Sequence, residues 1–127
     1  MTGYPVRARS IGCPGCSSPE TRRPALEIRS AQKLTWENKL AKGFNTSEVP
    51  LEFCLLQGEV AEAFDAWRRA HENLGEELAD IAIYVMSLAE MTGVDLQAAI
   101  EQKLAKNAKR TYVKDEASGT LVKIDPA

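Results

Sequence analysis

LLQGEVAEAFDAW, residues 55–67, places two glutamates three residues apart inside a strongly apolar run. The apolar residues recur at helical spacing, so the segment reads as an amphipathic helix that turns one side toward a core. At about 100° per residue, Phe53, Leu56, Val60, Phe64 and Trp67 form one apolar arc, which Leu55, Ala63 and Ala66 extend. Glu59 lies among those last three, and Glu62 lies at the edge of the arc. Asp65, Arg68 and Arg69 fall on the far side, which reads as solvent. An unpaired carboxylate on an apolar face is expensive, so the position of Glu59 needs a physical reason.

The next periodic segment repeats the pattern. In residues 74–91, Leu74, Leu78, Ile81, Val85 and Leu88 form the apolar arc. Glu77 falls within it, between Leu88 and Tyr84, and Asp80 sits at its edge. Spacing alone carries little weight: with 18 acids in 127 residues, two or three acidic i,i+3 pairs are expected by chance, and there are three. Direction carries more. The connection near Asn73 is short, so the two helices are expected to be antiparallel neighbours with their acidic pairs at similar depth. Four carboxylates in a partly dry space repel unless a cation compensates. Oxygen-only ligands suit Mg²⁺, with Mn²⁺ as the alternative. A di-iron bundle would use Glu-x-x-His pairs, and the one histidine, His71, stands at a helix end. The competing reading is that Glu59 and Glu77 reach along the helix edge or pair with Lys or Arg.

Working outward, Pro24 opens a first helix that ends at Gly43, Ser47 is a candidate cap for the second from about Pro50 to His71, and Asn73 with Glu76 approaches a capping box. Asp95 caps a fourth helix that continues to about Arg110. TYVK and TLVKI flank DEASG and predict a small C-terminal β-hairpin. The fold class is therefore all-α, a four-helix bundle. Residues 1–23 read as a flexible arm, 24–111 as the helical domain and 112–127 as a tail with the hairpin. On the fourth helix Lys103, Asn107 and Arg110 share a stripe, and two cations with an amide suit phosphate oxygens. The first helix offers Trp36 and Asn38; the tryptophan reads as core or as a stacking surface for a base.

Composition bounds the alternatives. The chain is 44% hydrophobic and 27% charged with net charge −2, which does not mark a nucleic-acid binder. The charge is segregated: residues 48–80 hold nine acids and two bases, and residues 101–114 five bases and one acid. An acidic block and a basic helix in one small domain can meet around a cation and an anion. No secretory signal or membrane-length apolar run is present, so the expected location is cytoplasmic without membrane contact. Cys13 and Cys16 in CPGC have the spacing of half a zinc site but lack further ligands, and read as a flexible turn. The third helix is apolar nearly all round, with Ile83 and Met86 opposite Leu78 and Val85, which predicts burial on both sides and hence a homodimer or dimer of dimers.

The combination EVAEA, EELADIAIYVMSLA and GVDLQAAIEQKLAKNAKR resembles the MazG-like all-α nucleoside triphosphate pyrophosphohydrolases over roughly residues 25–111. Glu59 and Glu62 match the first acidic pair of that family, Glu77 and Asp80 the second, and Lys103, Asn107 and Arg110 the basic segment; WENKLAKGF at 36–44 is similar to the family's first-helix end. Where many relatives carry a further glutamate just before the first pair, this chain has Gln57 and Gly58. The resemblance implies hydrolysis of a nucleoside triphosphate to monophosphate and pyrophosphate. In it Glu59, Glu62, Glu77 and Asp80 bind Mg²⁺, and Glu59 and Glu62 are the catalytic carboxylates, one of which, not fully used by the metal, orients water as a general base. Lys103 and Arg110 with Asn107 hold pyrophosphate, and the family assembles as dimers or larger; Trp36 and Asn38, offered by the first helix, stand beside these as substrate-binding candidates. The rival class is a non-catalytic oligomerisation or regulatory module with a vestigial metal site.

Overall fold

The computed structural model describes residues 25–124. Four helices follow in order, α1 (Ile28–Lys42), α2 (Val49–Arg68), α3 (Leu74–Met91) and α4 (Leu96–Ala108), and then a hairpin of β1 (Thr111–Lys114) and β2 (Leu121–Ile124). The arm over residues 1–23, with Cys13 and Cys16, lies outside the described residues.

Each boundary has a local cause. α1 ends where Gly43 adopts φ 71°, and the amides of Gly43 and Phe44 close on the carbonyls of Leu40 and Lys39. The start of α2 differs from expectation. Ser47 does not cap it; Asn45 does the work, its Oδ1 accepting from the Glu48 amide at 3.0 Å and its Nδ2 donating to the Glu48 carbonyl at 2.8 Å. α2 stops at Arg68, and Ala70 takes a positive φ of 56°, turning the chain sharply. The capping box at Asn73 is not formed either. Its amide donates instead to Glu77 Oε1 at 2.6 Å, and Glu76 reaches Asn73 only through backbone. Asp95 does cap α4, accepting from the Ala98 amide at 3.1 Å.

α3 is the central element: α2 packs on it through the short turn at 69–73, and α1 packs on it as well, while α4 leans on α1. Gln32 clamps this last corner. Its Nε2 donates to Glu90 Oε2 at 2.8 Å and to the Val94 carbonyl at 2.9 Å, and its Oε1 accepts from the Leu96 amide at 3.2 Å. Arg29 adds an ion pair to Asp95 at 2.9 Å.

The core is small and partly polar. Buried apolar residues are Ala63, Ala66, Leu88 and Ala89; buried polar ones are Gln32, Lys39, Glu52 and Ser87. The arc expected to face inward on α2 is largely uncovered within one chain: Phe53, Val60, Phe64 and Trp67 are 49–65% exposed. The stripe that meets the bundle is shifted around the helix to Glu52, Ala63 and Ala66, with Glu59 half-buried between them. Small side chains explain the shift, because Ala63 and Ala66 permit a close helix approach that Phe64 and Trp67 would block.

Candidate metal and nucleotide site

The shifted stripe places Glu59 against α3. One carboxylate oxygen each from Glu59, Glu77 and Asp80 lies within 4.8 Å of the other two. The i,i+3 spacing of Glu77 and Asp80 puts both on one side of α3, and the tight turn folds α2 alongside. Burial and the neighbouring carboxylates of Glu62, Asp80 and Glu77 hold the Glu59 carboxyl above its usual range. Desolvation is the larger cause, and the mutual repulsion of the carboxylates adds to it. A hard cation bound by oxygens relieves that repulsion, and the separation suits one that all three oxygens share. The residues present therefore fit Mg²⁺ or Mn²⁺, by the chemistry of the donor set.

Glu62 is placed differently from the other three predicted ligands. It is exposed and stands outside the three-oxygen group, in a shallow second hollow with Asp65, His71, Asn73 and Glu77. It is near enough to bear on the charge of Glu59. Asp65 is engaged by Arg68 at 2.6 Å and Arg69 at 3.0 Å, which holds its carboxyl below the usual range.

The three carboxylates stand beside a cavity of about 610 Å³ between α1, α2 and α3. Its walls are mostly apolar, from Leu34, Phe44, Leu55, Ile83 and Tyr84. Glu59 and Asp80 line it, as do Asn38, Lys39, Asn45 and Glu52. An apolar cavity with a few convergent polar groups is the ordinary form of a small-molecule site. Asn38, singled out from sequence, is on its wall; Trp36 is half-buried and does not line it. Lys103 and Asn107 are exposed on α4 and do not line it, nor does Arg110, whose Nε is buried with no hydrogen-bond partner among the described residues. A buried guanidinium N–H without an acceptor is uncommon, and an anionic oxygen would satisfy it.

A family model, the MazG-like family, matches residues 51–120, more than half of the chain. The chain belongs to the MazG-like family. Neither the curated proteins nor the solved structures gave a match. The matched span holds both acidic pairs and the basic segment, and so coincides with the elements that carry the cluster. No helix among the described residues is long and apolar enough to cross a membrane.

The sequence reading missed five side chains of this MazG-like site. Glu52 is fully buried, paired with Lys39, and accepts from Ser87 Oγ at 2.9 Å and Asn45 Nδ2 at 3.1 Å. Tyr84 lines the cavity four residues after Asp80; burial and the carboxylates of Glu59, Glu52, Asp80 and Glu62 push its phenol up, so it stays a neutral donor. The signal was periodic: Glu52 precedes Glu59 by seven residues, two helical turns on the same side.

Proposed function

We propose that this MazG-like chain is a Mg²⁺-dependent nucleoside triphosphate pyrophosphohydrolase, releasing pyrophosphate and a nucleoside monophosphate. One observation carries this reading: three carboxylates from two helices converge at the side of a mostly apolar cavity. An apolar cavity suits a base, and a cation-binding acidic cluster suits a polyphosphate.

Glu59, Glu77 and Asp80 would hold the metal, which when bound supplies charge withdrawal from phosphate oxygens and a lowered pKa for bound water. Glu62 stands one turn after Glu59 and outside the three-oxygen group, so its carboxylate is the one left to orient water and accept its proton. The Tyr84 hydroxyl remains protonated and offers a hydrogen bond from the cavity wall. Lys103, Asn107 and Arg110 are the groups for the pyrophosphate oxygens. Because they do not line the cavity in one chain, their part in the site goes with assembly into a homodimer or dimer of dimers, which the uncovered aromatic stripe of α2 supports.

The test is pyrophosphate release from a panel of ribo- and deoxyribonucleoside triphosphates with Mg²⁺. The expected products are pyrophosphate and monophosphate in equal amounts, with loss of activity on chelation. No release from any member would favour the non-catalytic module.

A further inference from the structure

The buried Lys39–Glu52 pair is not explained by stability. Replacing a buried ion pair with apolar residues of similar volume is often neutral or stabilising, so such a pair is weak grounds for a purely structural role. Here it also lies on the wall of the cavity rather than in the middle of the core.

The two partners are not equally occupied. Glu52 is saturated: Oε1 accepts from Lys39 Nζ and from Ser87 Oγ, Oε2 accepts from Asn45 Nδ2, and nothing of the residue is exposed. Asn45 is saturated too. Its Nδ2 serves Glu48 and Glu52, and its Oδ1 accepts from the amides of Ser47 and Glu48. Lys39 is different. An ammonium has three N–H donors and no acceptor. Among the described residues it makes one hydrogen bond, to Glu52, and it lies 5.8 Å from the centre of the Tyr84 ring. The residue is 7% exposed and lines the cavity, where it is the one cation among the described lining residues. Lys39 therefore presents unused hydrogen-bond donors to this end of the cavity. Thr35, Asn38 and Tyr84, also on the wall, can each donate or accept and so do not discriminate.

Glu52 and Glu59 are seven residues apart on α2, roughly 10 Å at a rise of ~1.5 Å per residue. If a cation at Glu59 and Asp80 holds the phosphates and the base enters the cavity that Lys39 also lines, a span of this size lets the far edge of the base reach Lys39. At its outermost position that edge carries either an oxo group, which accepts, or an amino group, which donates; the adjacent ring nitrogen has the opposite character, donating in the first case and accepting in the second. An amino group facing an ammonium leaves two donors opposed.

Resting on the nucleotide reading above, we propose that Lys39 is a specificity-determining residue that selects bases with an oxo group at the far edge (uracil, thymine, guanine, hypoxanthine) over amino-edged cytosine and adenine. The full chain is titrated in a calorimeter, with Mg²⁺, against non-hydrolysable α,β-imido analogues of UTP and CTP, and of ITP and ATP, in ribo and deoxyribo forms. Each pair is matched in size and differs at the reading edge. The oxo member is expected to bind roughly tenfold or more tightly, because an unmatched buried donor is strongly penalised. Lys39→Met combined with Glu52→Gln removes both buried charges together, and is expected to bring the pairs to equal affinity; Lys39→Arg retains the preference. Equal affinities in the wild-type protein overturn the proposal, and that comparison stands even if the double variant does not fold. A preference that survives in a cooperatively melting double variant also overturns it. So does a uniform weakening that extends to inorganic pyrophosphate, which would make Lys39 a phosphate ligand. If no analogue binds at all, the nucleotide reading falls and takes the inference with it; equal binding defeats the inference alone.

Discussion

Glu59 sits on an apolar face, and the opposite helix brings two more carboxylates to it. Metal-free protein should show the cost. Its carboxyl is held above the ordinary glutamate value, so the folded state keeps the proton to a higher pH than the unfolded state does. The sign follows directly: the contribution to stability is fully present below the unfolded pKa and is lost as pH rises through the folded one. Thermal melts of the metal-free protein should fall in Tm across the range just above the ordinary glutamate pKa. Mg²⁺ should raise Tm most at the high end, since proton and metal compete and a ligand that binds only the folded state stabilises it by mass action. A flat difference across that range would remove the shared-site reading. Glu62→Gln should leave metal-free stability unchanged or raised while cutting turnover by roughly 10²-fold or more, as expected for loss of a positioned general base. Asp65→Asn is the control, because Asp65 is engaged by Arg68 and Arg69 on the same helix; its turnover should be near wild type. Three of the four acids thus come together as their wheel positions and the short turn implied. Glu62 could not be separated from them by angle alone, because its distance from α3 depends on how far Ala63 and Ala66 rotate the helix. Glu52 was overlooked because no local motif contains it; its partners come from α1, the following loop and α3.

At the level of elements, helix number and type follow from periodicity and glycine stops, whereas the caps at Ser47 and Asn73, the start of α1 at Ile28 and the end of α2 at Arg68 differ from the reading. Asn45 displaced Ser47 because an asparagine two or three residues before a helix start can bond the backbone from both ends of its amide. Asn73 was drawn off by Glu77. Neither competition is visible without the partner's position. The Lys39–Glu52 pair joins α1 to α2, and Ser87 joins α3 to it through Glu52. Glu52→Ala strands a buried ammonium and should cost ~3–5 kcal/mol of stability. Lys39→Met with Glu52→Gln should cost clearly less than the two single changes added, because the partners are coupled. Urea unfolding of the four proteins checks this, and additivity within about 0.5 kcal/mol would show that the pair is not a unit. On α4, Lys103→Ala is an exposed change and should move stability by less than ~0.5 kcal/mol. If it holds a phosphate oxygen, it should cost roughly 1.5–3 kcal/mol in kcat/KM. Unchanged kinetics would make the stripe a solvated face.

The whole molecule leaves one large question open to measurement, namely what covers α2. The wheel placed Phe53, Val60, Phe64 and Trp67 against a core, yet one chain leaves them about half exposed or more, with Phe64 and Trp67 stacked at 6.0 Å between ring centres. The sequence pattern marks an apolar face and does not say which chain would cover it. Single exposed apolar residues are ordinary, but a contiguous aromatic stripe marks a contact surface. Covering each half-exposed ring would contribute on the order of 1–2 kcal/mol, which is enough for a handful of such residues to hold a pair of chains together. Light scattering at micromolar concentration should therefore give at least twice the 14.0 kDa chain mass. Phe64→Glu and Trp67→Glu should each shift it toward a single chain, because a charge in an apolar contact is left unpaired. Neither residue is in the acidic cluster, so helix content and the metal response of Glu59, Glu77 and Asp80 should persist in both variants. Turnover should fall with the mass if Lys103 and Arg110 reach the phosphates of a neighbouring chain's site. Turnover that stays high in a single-chain variant would mean that α4 serves its own cavity by moving. A single-chain mass for the unaltered protein would mean that the stripe is not a contact between copies at all.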